Sequence, residues 1–381
     1  MQAKCKTELL LKYLQIADIN TPEQKLYLES TDEHLVLETQ FDGMTIKTEF
    51  PADVRRKGRI TVFAPLETVK EILSNIDQPE VTLNFDGESS LLSISIHDGV
   101  YSLFGRQVDS GSSSEDKAEL EEVKETVLES KELLNALRRT IFAVGKDLAS
   151  LRRRFLAGLL LELEEDEYAL VGSDGIRMAI VRVKRPNLLR RSCEFKAGHA
   201  IPFPYCEKLI EVLEILPSRQ VCITQSERET IFDFGDVQIR CGLIPEGYPD
   251  YKGVMPKDGK PTTVWVDRRR LISALRSAEP LAPQRTKAAR LEVLDNTLRI
   301  RTTSEEMGRS ERRIPIRQEG DNASLVVDVQ MLIENLSHTD ADEITMELWG
   351  PLSPMLLRLE LNYSVIFMPR IPMRLSDERD T

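Results

Sequence analysis

Catalytic equipment is what this 381-residue chain has least of. Its four histidines, His34, His97, His199 and His338, have no metal-ligand neighbour at a recognisable spacing. GxSxG, Walker A and GxGxxG motifs are absent. The acidic run LELEEDEY, ending Glu162 to Glu167, falls on a strand and its turn and reads as a solvated hairpin tip, not a metal site. The five cysteines (Cys5, Cys193, Cys206, Cys222, Cys241) are scattered, odd in number and form no CxxC. They read as reduced thiols, mostly buried, of a cytoplasmic protein. No apolar run approaches the roughly 18 residues of a membrane span, and MQAKCKTELLLKYLQ is too polar for a signal peptide. Positive charge is also short: the net charge is −12 and the pI near 5.1. That argues against gripping nucleic acid by overall charge, and leaves room for basic residues gathered on one face. The expectation is a protein with no metal, no cofactor and no membrane contact.

What is present is a repeat. LLKYLQI begins at Leu10, LLNALRR at Leu133 and LISALRS at Leu271. Each is followed by a second pattern: VKEIL from Val69, LIEVL from Leu209, LIENL from Leu332. A unit of this length, used three times, is too long for a solenoid, whose period is roughly 20–50 residues, and fits whole domains in tandem.

Within each unit the periodicity reads helix, strands, helix, strands. Helices are expected at Glu8–Ile16, Leu66–Ile76, Lys131–Val144, Tyr205–Leu216, Arg268–Ala278 and Val329–His338, where apolar residues recur at helical spacing. Alternating runs such as KLYLES, YALVG and LRIRTT mark strands, with one sheet face on helices. The fold class is therefore α+β: three tandem similar domains, each with two helices packed on antiparallel sheets. The boundaries fall at 1–125, 126–256 and 257–381. The junction over 106–130 is Ser-rich and acidic, the composition of a solvated connector. The junction over 245–263, PEGYPDYKGVMPKDGKP, contains aromatics and reads as an ordered strap.

Basic residues recur at equivalent places. The second unit's first helix carries Lys131, Asn135, Arg138 and Arg139 on one polar face, and the third unit's carries Arg269, Ser273 and Arg276 at the same spacing. The chain's first helix offers only Glu8, Lys12 and Gln15. Arg152, Arg153 and Arg154 precede Phe155, with Lys146 close by. A solvated helix face is the ordinary fate of such runs. Recurrence at matching positions in an acidic chain favours a shared use.

Three stretches resemble the bacterial sliding clamp, the beta subunit of DNA polymerase III: VGSDGIRMAI (Val171–Ile180), GLIPEGYPDYKGVMP (Gly242–Pro256) and VIFMPRIPMRL (Val365–Leu375). With the repeat, the resemblance covers essentially the whole chain and is weakest in the first unit. It implies two copies closed head to tail into a ring around double-stranded DNA. That ring would tether the polymerase catalytic subunit and also serve a clamp loader and other clamp-binding-motif proteins. The basic residues above, Lys12 and Lys146 included, would face DNA.

Matched residue by residue, the resemblance implies a peptide pocket at Leu156, Ser173, Gly175, Ile176, Arg177 and Met178. Pro249 and Val254 would come from the strap, and the tail would close it. The tail has two registers, one on Met368-Pro369 and one through Pro372, Met373, Arg374 and Leu375; the second matches the family's P-M-R-L ending and is preferred. From their residues alone, Leu156 and Met178 are equally compatible with plain core. The dimer contact would join Tyr101 and Leu103 to Leu281 and Arg285. The departures are Gly253 at an often basic strap position, Ile176 at one that is often His, the divergent first unit, and the final SDERDT. A diverged clamp-like paralogue serving repair or another partner is the alternative they leave open. A nucleic-acid enzyme on repeated α+β domains would need a carboxylate or His cluster that the sequence does not show.

Overall fold

The computed structural model describes residues 1–108, 123–146, 153–185, 189–191, 198–216, 219–254 and 259–371. Arg152, the strand expected at Cys193, residues Pro372, Met373, Arg374 and Leu375, and SDERDT lie outside them.

Strand, helix, three strands: the chain runs this sequence six times. The first pass is β1 (Gln2–Lys6), α1 (Thr7–Ala17), β2 (Lys25–Ser30), β3 (His34–Phe41) and β4 (Met44–Pro51), with a short β5 (Asp53–Arg56) after it. The second is β6 (Gly58–Val62), α2 (Leu66–Ser74), β7 (Glu80–Asp86), β8 (Leu91–Ile96) and β9 (Gly99–Val108). The third is β10 (Lys124–Glu129), α3 (Ser130–Arg138), β11 (Gly158–Leu163), β12 (Glu167–Ser173) and β13 (Arg177–Lys184), then the short β14 (Leu189–Arg191). The fourth is β15 (Ala200–Pro202), α4 (Phe203–Ile215), β16 (Gln220–Gln225), β17 (Glu229–Asp233) and β18 (Val237–Gly242). The fifth is β19 (Thr262–Asp267), α5 (Arg268–Ala278), β20 (Ala288–Leu294), β21 (Thr297–Ser304) and β22 (Gly308–Pro315), with β23 (Arg317–Glu319). The sixth is β24 (Ala323–Asp328), α6 (Val329–Ser337), β25 (Glu343–Leu348), β26 (Met355–Glu360) and β27 (Tyr363–Phe367).

Local chemistry explains the helices. In α5 the stripe Leu271, Ala274, Leu275 and Ala278 is buried while Arg269, Ser273 and Arg276 stay exposed. Asp267 caps it by accepting from the Arg270 amide, and Asp328 caps α6 by accepting from that of Met331. The strands alternate: β7, for example, buries Val81, Leu83 and Phe85 and turns the residues between them outward.

Two expectations are corrected, and one strand is new. The helix expected to run from Lys131 to Val144 stops at Arg138, and a short 3-10 turn follows at Ile141–Ala143. Phe142, Ala143 and Val144 are all buried, which a single helical stripe cannot achieve for three consecutive residues. The acidic junction is shorter than 106–130, because β9 extends to Val108 and β10 begins at Lys124. β1 was not anticipated; Ala3 and Cys5 are its buried positions. In the described part of the strap, Tyr248 and Tyr251 are buried and Tyr251–Val254 forms a 3-10 turn; residues 255–258 lie outside the described residues.

The chain gathers into two compact units. Unit 1 comprises residues 1–134, 163–166 and 186–245; unit 2 comprises 135–162, 167–185 and 246–381. The division falls inside α3. Unit 1 holds one fourteen-stranded sheet, β14-β10-β16-β17-β18-β4-β3-β2-β6-β9-β8-β7-β1-β5. Unit 2 holds the run β11-β12-β13-β27-β26-β25-β19-β23 and a four-stranded sheet, β22-β21-β20-β24. In each unit one antiparallel pair joins passes that are distant in sequence. β4 meets β18 with Met44 opposite Cys241 and Thr48 opposite Val237. β13 meets β27 with Arg177 opposite Phe367 and Val181 opposite Tyr363.

Candidate peptide-binding site and helix faces

The candidate pocket lies within unit 2 and centres on the hairpin turn between β12 and β13. Asp174 makes it: one carboxylate oxygen accepts from the Ile176 amide at 2.9 Å and from the Arg177 amide at 3.0 Å. Ser173 Oγ donates to the Arg177 carbonyl at 2.8 Å and accepts from the Gly175 amide at 3.1 Å. Gly175 has a φ of +88°, a conformation other residues adopt only at a cost. The turn pushes Ile176 outward, exposed, and draws Arg177 inward.

Arg177 is buried with its charge already answered. Nε donates to Asp174 at 3.1 Å, one terminal nitrogen to Glu334 at 2.7 Å and Asn335 at 3.2 Å, and the other to the Phe142 carbonyl at 3.2 Å. Its guanidinium carbon sits 5.0 Å from the centroid of the Phe142 ring. His338 stacks on Phe142 at 3.9 Å and 6° between planes. Burial pushes the His338 pKa below its usual value; Arg177 adds to this and Glu334 opposes it. Phe142, Glu334, Asn335 and His338 were not among the site residues read from sequence. One signal was available: Asn335 is a polar residue at a fully buried position of α6, in phase with Leu332 and Leu336.

Leu156 adjoins the turn, its Cδ1 3.5 Å from where a Cβ on Gly175 would lie. Its carbonyl accepts from the Gly145 amide at 2.9 Å. The strap is tied to the neighbouring residue: the Phe155 amide donates to Glu246 at 3.3 Å and its ring meets Tyr248 edge-on at 5.3 Å. Farther along, Tyr251 donates to Glu162 at 2.7 Å and accepts from Arg182 at 3.0 Å. Pro249 and Val254 are exposed on this strap, and Met178 is half-buried. The Met368 amide donates to the Ile176 carbonyl at 2.9 Å, so the described tail brings Met368-Pro369 to the turn; the register preferred from sequence, through Pro372 to Leu375, lies outside the described residues. Arg370 bridges to Val326 on β24 and pairs with Asp328 at 2.5 Å, anchoring the chain just after Pro369. Ile176, Val254, Met368 and Ile371 are exposed apolar residues; Met368 is bonded at the turn and Ile371 follows three residues on, while Val254 lies on the strap.

The residues expected to face DNA divide. Lys131, Arg138, Lys146, Arg153, Arg154, Arg269 and Arg276 are exposed. Lys12 is half-buried, its ammonium 5.9 Å from the Tyr13 ring centroid. Arg139 is corrected: it pairs with Glu360 at 2.7 Å and lies 5.6 Å from the Tyr363 ring centroid, so its charge serves the fold. Of the expected dimer residues, Tyr101 is exposed and Leu103 half-buried on β9. Leu281 ends a 3-10 turn that packs beside β22, and Arg285 is exposed.

Comparison with known proteins decides the family. Residues 127–250 match the family described as DNA polymerase III beta subunit, central domain, and residues 252–371 its C-terminal domain. The chain belongs to the bacterial sliding-clamp family. This clamp is 26% identical over 325 residues to the beta sliding clamp of Synechococcus elongatus, covering 84% of this chain and 83% of that one. To that of Treponema pallidum it is 21% identical over 374 residues, covering 94% and 95%. Among solved structures, the sliding clamp from Pseudomonas aeruginosa superposes with a TM-score of 0.85 at 19% identity, covering 98% of this clamp and 100% of that chain. The beta subunit from Thermotoga maritima gives 0.82 at 20% identity, covering 98% and 100%. A Pseudomonas aeruginosa clamp with the same coverage is described as bound to griselimycin. The likeness in fold therefore includes residues 1–126, which neither family match reaches. No helix among the described residues is long and apolar enough to cross a membrane.

Proposed function

We propose that two copies of this processivity clamp close head to tail around duplex DNA and tether a replicative polymerase, without catalysis or cofactor, in the cytoplasm. The observation that carries the ring is a repeated register. Counted from the flanks of the hairpin tips, the β4–β18 and β13–β27 pairs are superimposable: Met44 and Arg177 hold the same place, as do Cys241 and Phe367. By that repeat the next pair would be β22 with β9. Among the described residues β22 ends its sheet, and β9 from Gly99 to Leu103 carries only β8 alongside. The same register puts Gly308 opposite Leu103, Ser310 opposite Tyr101 and Arg312 opposite Gly99 of a second copy. Two such open strands, one in each unit, would let two copies pair head to tail through two equivalent contacts and close a ring.

A ring is held by linkage, so its contacts with phosphates can stay weak and independent of sequence. The exposed Ile176, Val254, Met368 and Ile371, with Leu156 behind them, suit a short extended peptide bearing leucine and aromatic anchors. The griselimycin complex of a relative supports a ligand site on this fold. Tethering such a peptide raises the local concentration of the polymerase on its template.

The decisive experiment is retention on nicked circular duplex. A linked ring survives a high-salt wash and is lost when the circle is linearised; a protein released by salt alone sinks the reading. Register is tested separately. Ser102→Cys with Arg309→Cys should form a disulfide between copies under mild oxidation, whereas Ser102→Cys with Ser310→Cys, slipped by one residue, should not.

A further inference from the structure

Several cations of this acidic chain are matched by carboxylates close by. Lys70 Nζ lies 2.7 Å from both Asp18 and Glu67, and Lys208 Nζ lies 3.1 Å from Glu211. One sheet face departs from that balance. The four-stranded sheet of unit 2 buries Leu291, Leu298, Ile300 and Leu325 on its helix side, where Thr302 Oγ1 donates to the Ala278 carbonyl of α5 at 3.2 Å. Alternation sends the residues between them to the opposite face. Register arranges six of these in two rows: Arg290, Arg301 and Glu311 lie directly opposite one another across β20, β21 and β22, as do Glu292, Arg299 and Arg313. Each row sets two arginines side by side, an arrangement that costs the sheet stability.

The two carboxylates are shared among three arginines. Glu292 lies 3.5 Å from Arg299 and 3.6 Å from Arg301, and Glu311 lies 2.6 Å from Arg313, 3.1 Å from Arg301 and 3.8 Å from Arg299. Hydrogen bonds from Arg313 and Arg301 hold the Glu311 carboxyl below its usual pKa, so it stays charged. Arg309, exposed farther along β22, points to the same face. Among the described residues neither Arg309 nor Arg290 is paired with a carboxylate. Five arginines against two glutamates leave this face positive in a chain of net charge −12. The excess has no use in the clamp reading: α5 lies against the other side of the sheet, and pairing at β22 would use its backbone edge. No aromatic side chain stands on this face of β20, β21 or β22, so single-stranded nucleic acid would find phosphate partners but nothing on which to stack its bases. Carboxylates fit better. Guanidinium forks pair with them bidentately, and successive positions on one strand face lie about 7 Å apart, the spacing of alternate side chains in an extended peptide.

We infer that the arginine face of β20, β21 and β22 docks an extended acidic segment of a partner protein, with carboxylates at alternate positions, apart from the pocket at Ile176. The measurement is fluorescence anisotropy of a labelled peptide of alternating Glu and Ser, titrated with the full-length protein at low salt. Binding should weaken as salt is raised, because the contacts are exposed. Arg301→Gln with Arg313→Gln should weaken it about fivefold, the worth of two exposed ion pairs. Glu311→Gln should tighten it by removing a competing carboxylate. All three side chains are exposed, so the fold should survive, with unchanged circular dichroism and thermal unfolding as the check. Arg269→Ala with Arg276→Ala, on the helix side, should leave peptide binding unchanged. The inference is overturned by a parent protein that does not bind the peptide, by an arginine-face variant that binds as the parent does, or by Glu311→Gln binding no tighter. An equal loss in the helix-side variant also overturns it, since the attraction would then be general. So does tighter binding of an oligothymidylate of equal length through Arg301 and Arg313, which would make the partner a nucleic acid. None of these outcomes bears on retention on circular DNA, so the ring and the arginine face stand or fall separately.

Discussion

Replacing Arg177 with alanine tests whether the candidate pocket is held together as its geometry implies. The guanidinium side chain is 8% exposed, whereas its partner Glu334 is 49% exposed. After the substitution Glu334 returns to water, and Asp174 keeps the two backbone amides of its turn. Asn335 and the Phe142 carbonyl are the groups left behind without a donor, and Asn335 is fully buried. An orphaned buried polar group costs about 1–3 kcal/mol. With two such groups and the lost stacking on Phe142, the expected destabilisation is about 3–5 kcal/mol. Glu334→Ala should cost less than about 1 kcal/mol, because its bond is solvent-screened and Arg177 retains Asp174. Both tryptophans, Trp265 and Trp349, belong to unit 2, so urea unfolding followed by their fluorescence reports on this region. Arg177→Ala should also abolish binding of a QLxLF peptide, and Glu334→Ala should spare it. Equal costs for the two substitutions, or a cost under about 1 kcal/mol for Arg177→Ala, would refute the asymmetry of burial on which the argument rests.

Other expectations follow from neighbouring residues. His338 has a lowered pKa in the folded clamp, so the unfolded chain binds its proton more readily. Its contribution is complete above the ordinary histidine pKa of about 6.5 and is lost as pH falls from there through the lower folded value. His338→Phe, which keeps the stack on Phe142, should flatten the dependence of tryptophan-detected stability on pH in that window, and an unaltered dependence would contradict it. Gly172 lies on β12, where a Cβ would stand 2.4 Å from the Thr140 carbonyl oxygen and 2.9 Å from Leu159 Cδ2. Gly172→Ala should therefore cost at least about 1–3 kcal/mol in the same unfolding assay; a neutral result would mean the backbone can move aside.

Much of this site was legible in the chain because the turn is built from residues that signal it locally. Ser173, Asp174 and Gly175 specify a tight hairpin whatever surrounds them, and Met368 follows a strand of apolar residues that must end near it. The partners of Arg177 were not legible. Glu334 and Asn335 lie 157 and 158 positions away, and nothing in their own neighbourhood names an arginine as their ligand. Arg139 shows the opposite failure. Its helical phase placed it with Arg138 on a polar face, but α3 ends at Arg138 and Glu360 is within reach, so an apparent DNA contact became an internal ion pair.

Period and phase along the chain determined the six helices, the apolar side of each, the alternation of the strands and the recurrence of the whole pattern. These are local properties, set by backbone geometry at 3.6 and 2 residues per repeat. Which strand joins which across the repeats was decided only by tertiary structure. β4–β18 and β13–β27 pair residues nearly two hundred positions apart, and alternation alone fits any antiparallel neighbour. The same holds for charge. Sequence located the lysines and arginines, but only the fold decided that Lys70, Lys208, Arg139 and Arg177 are spent on carboxylates within the protein while Arg269 and Arg276 remain turned to solvent.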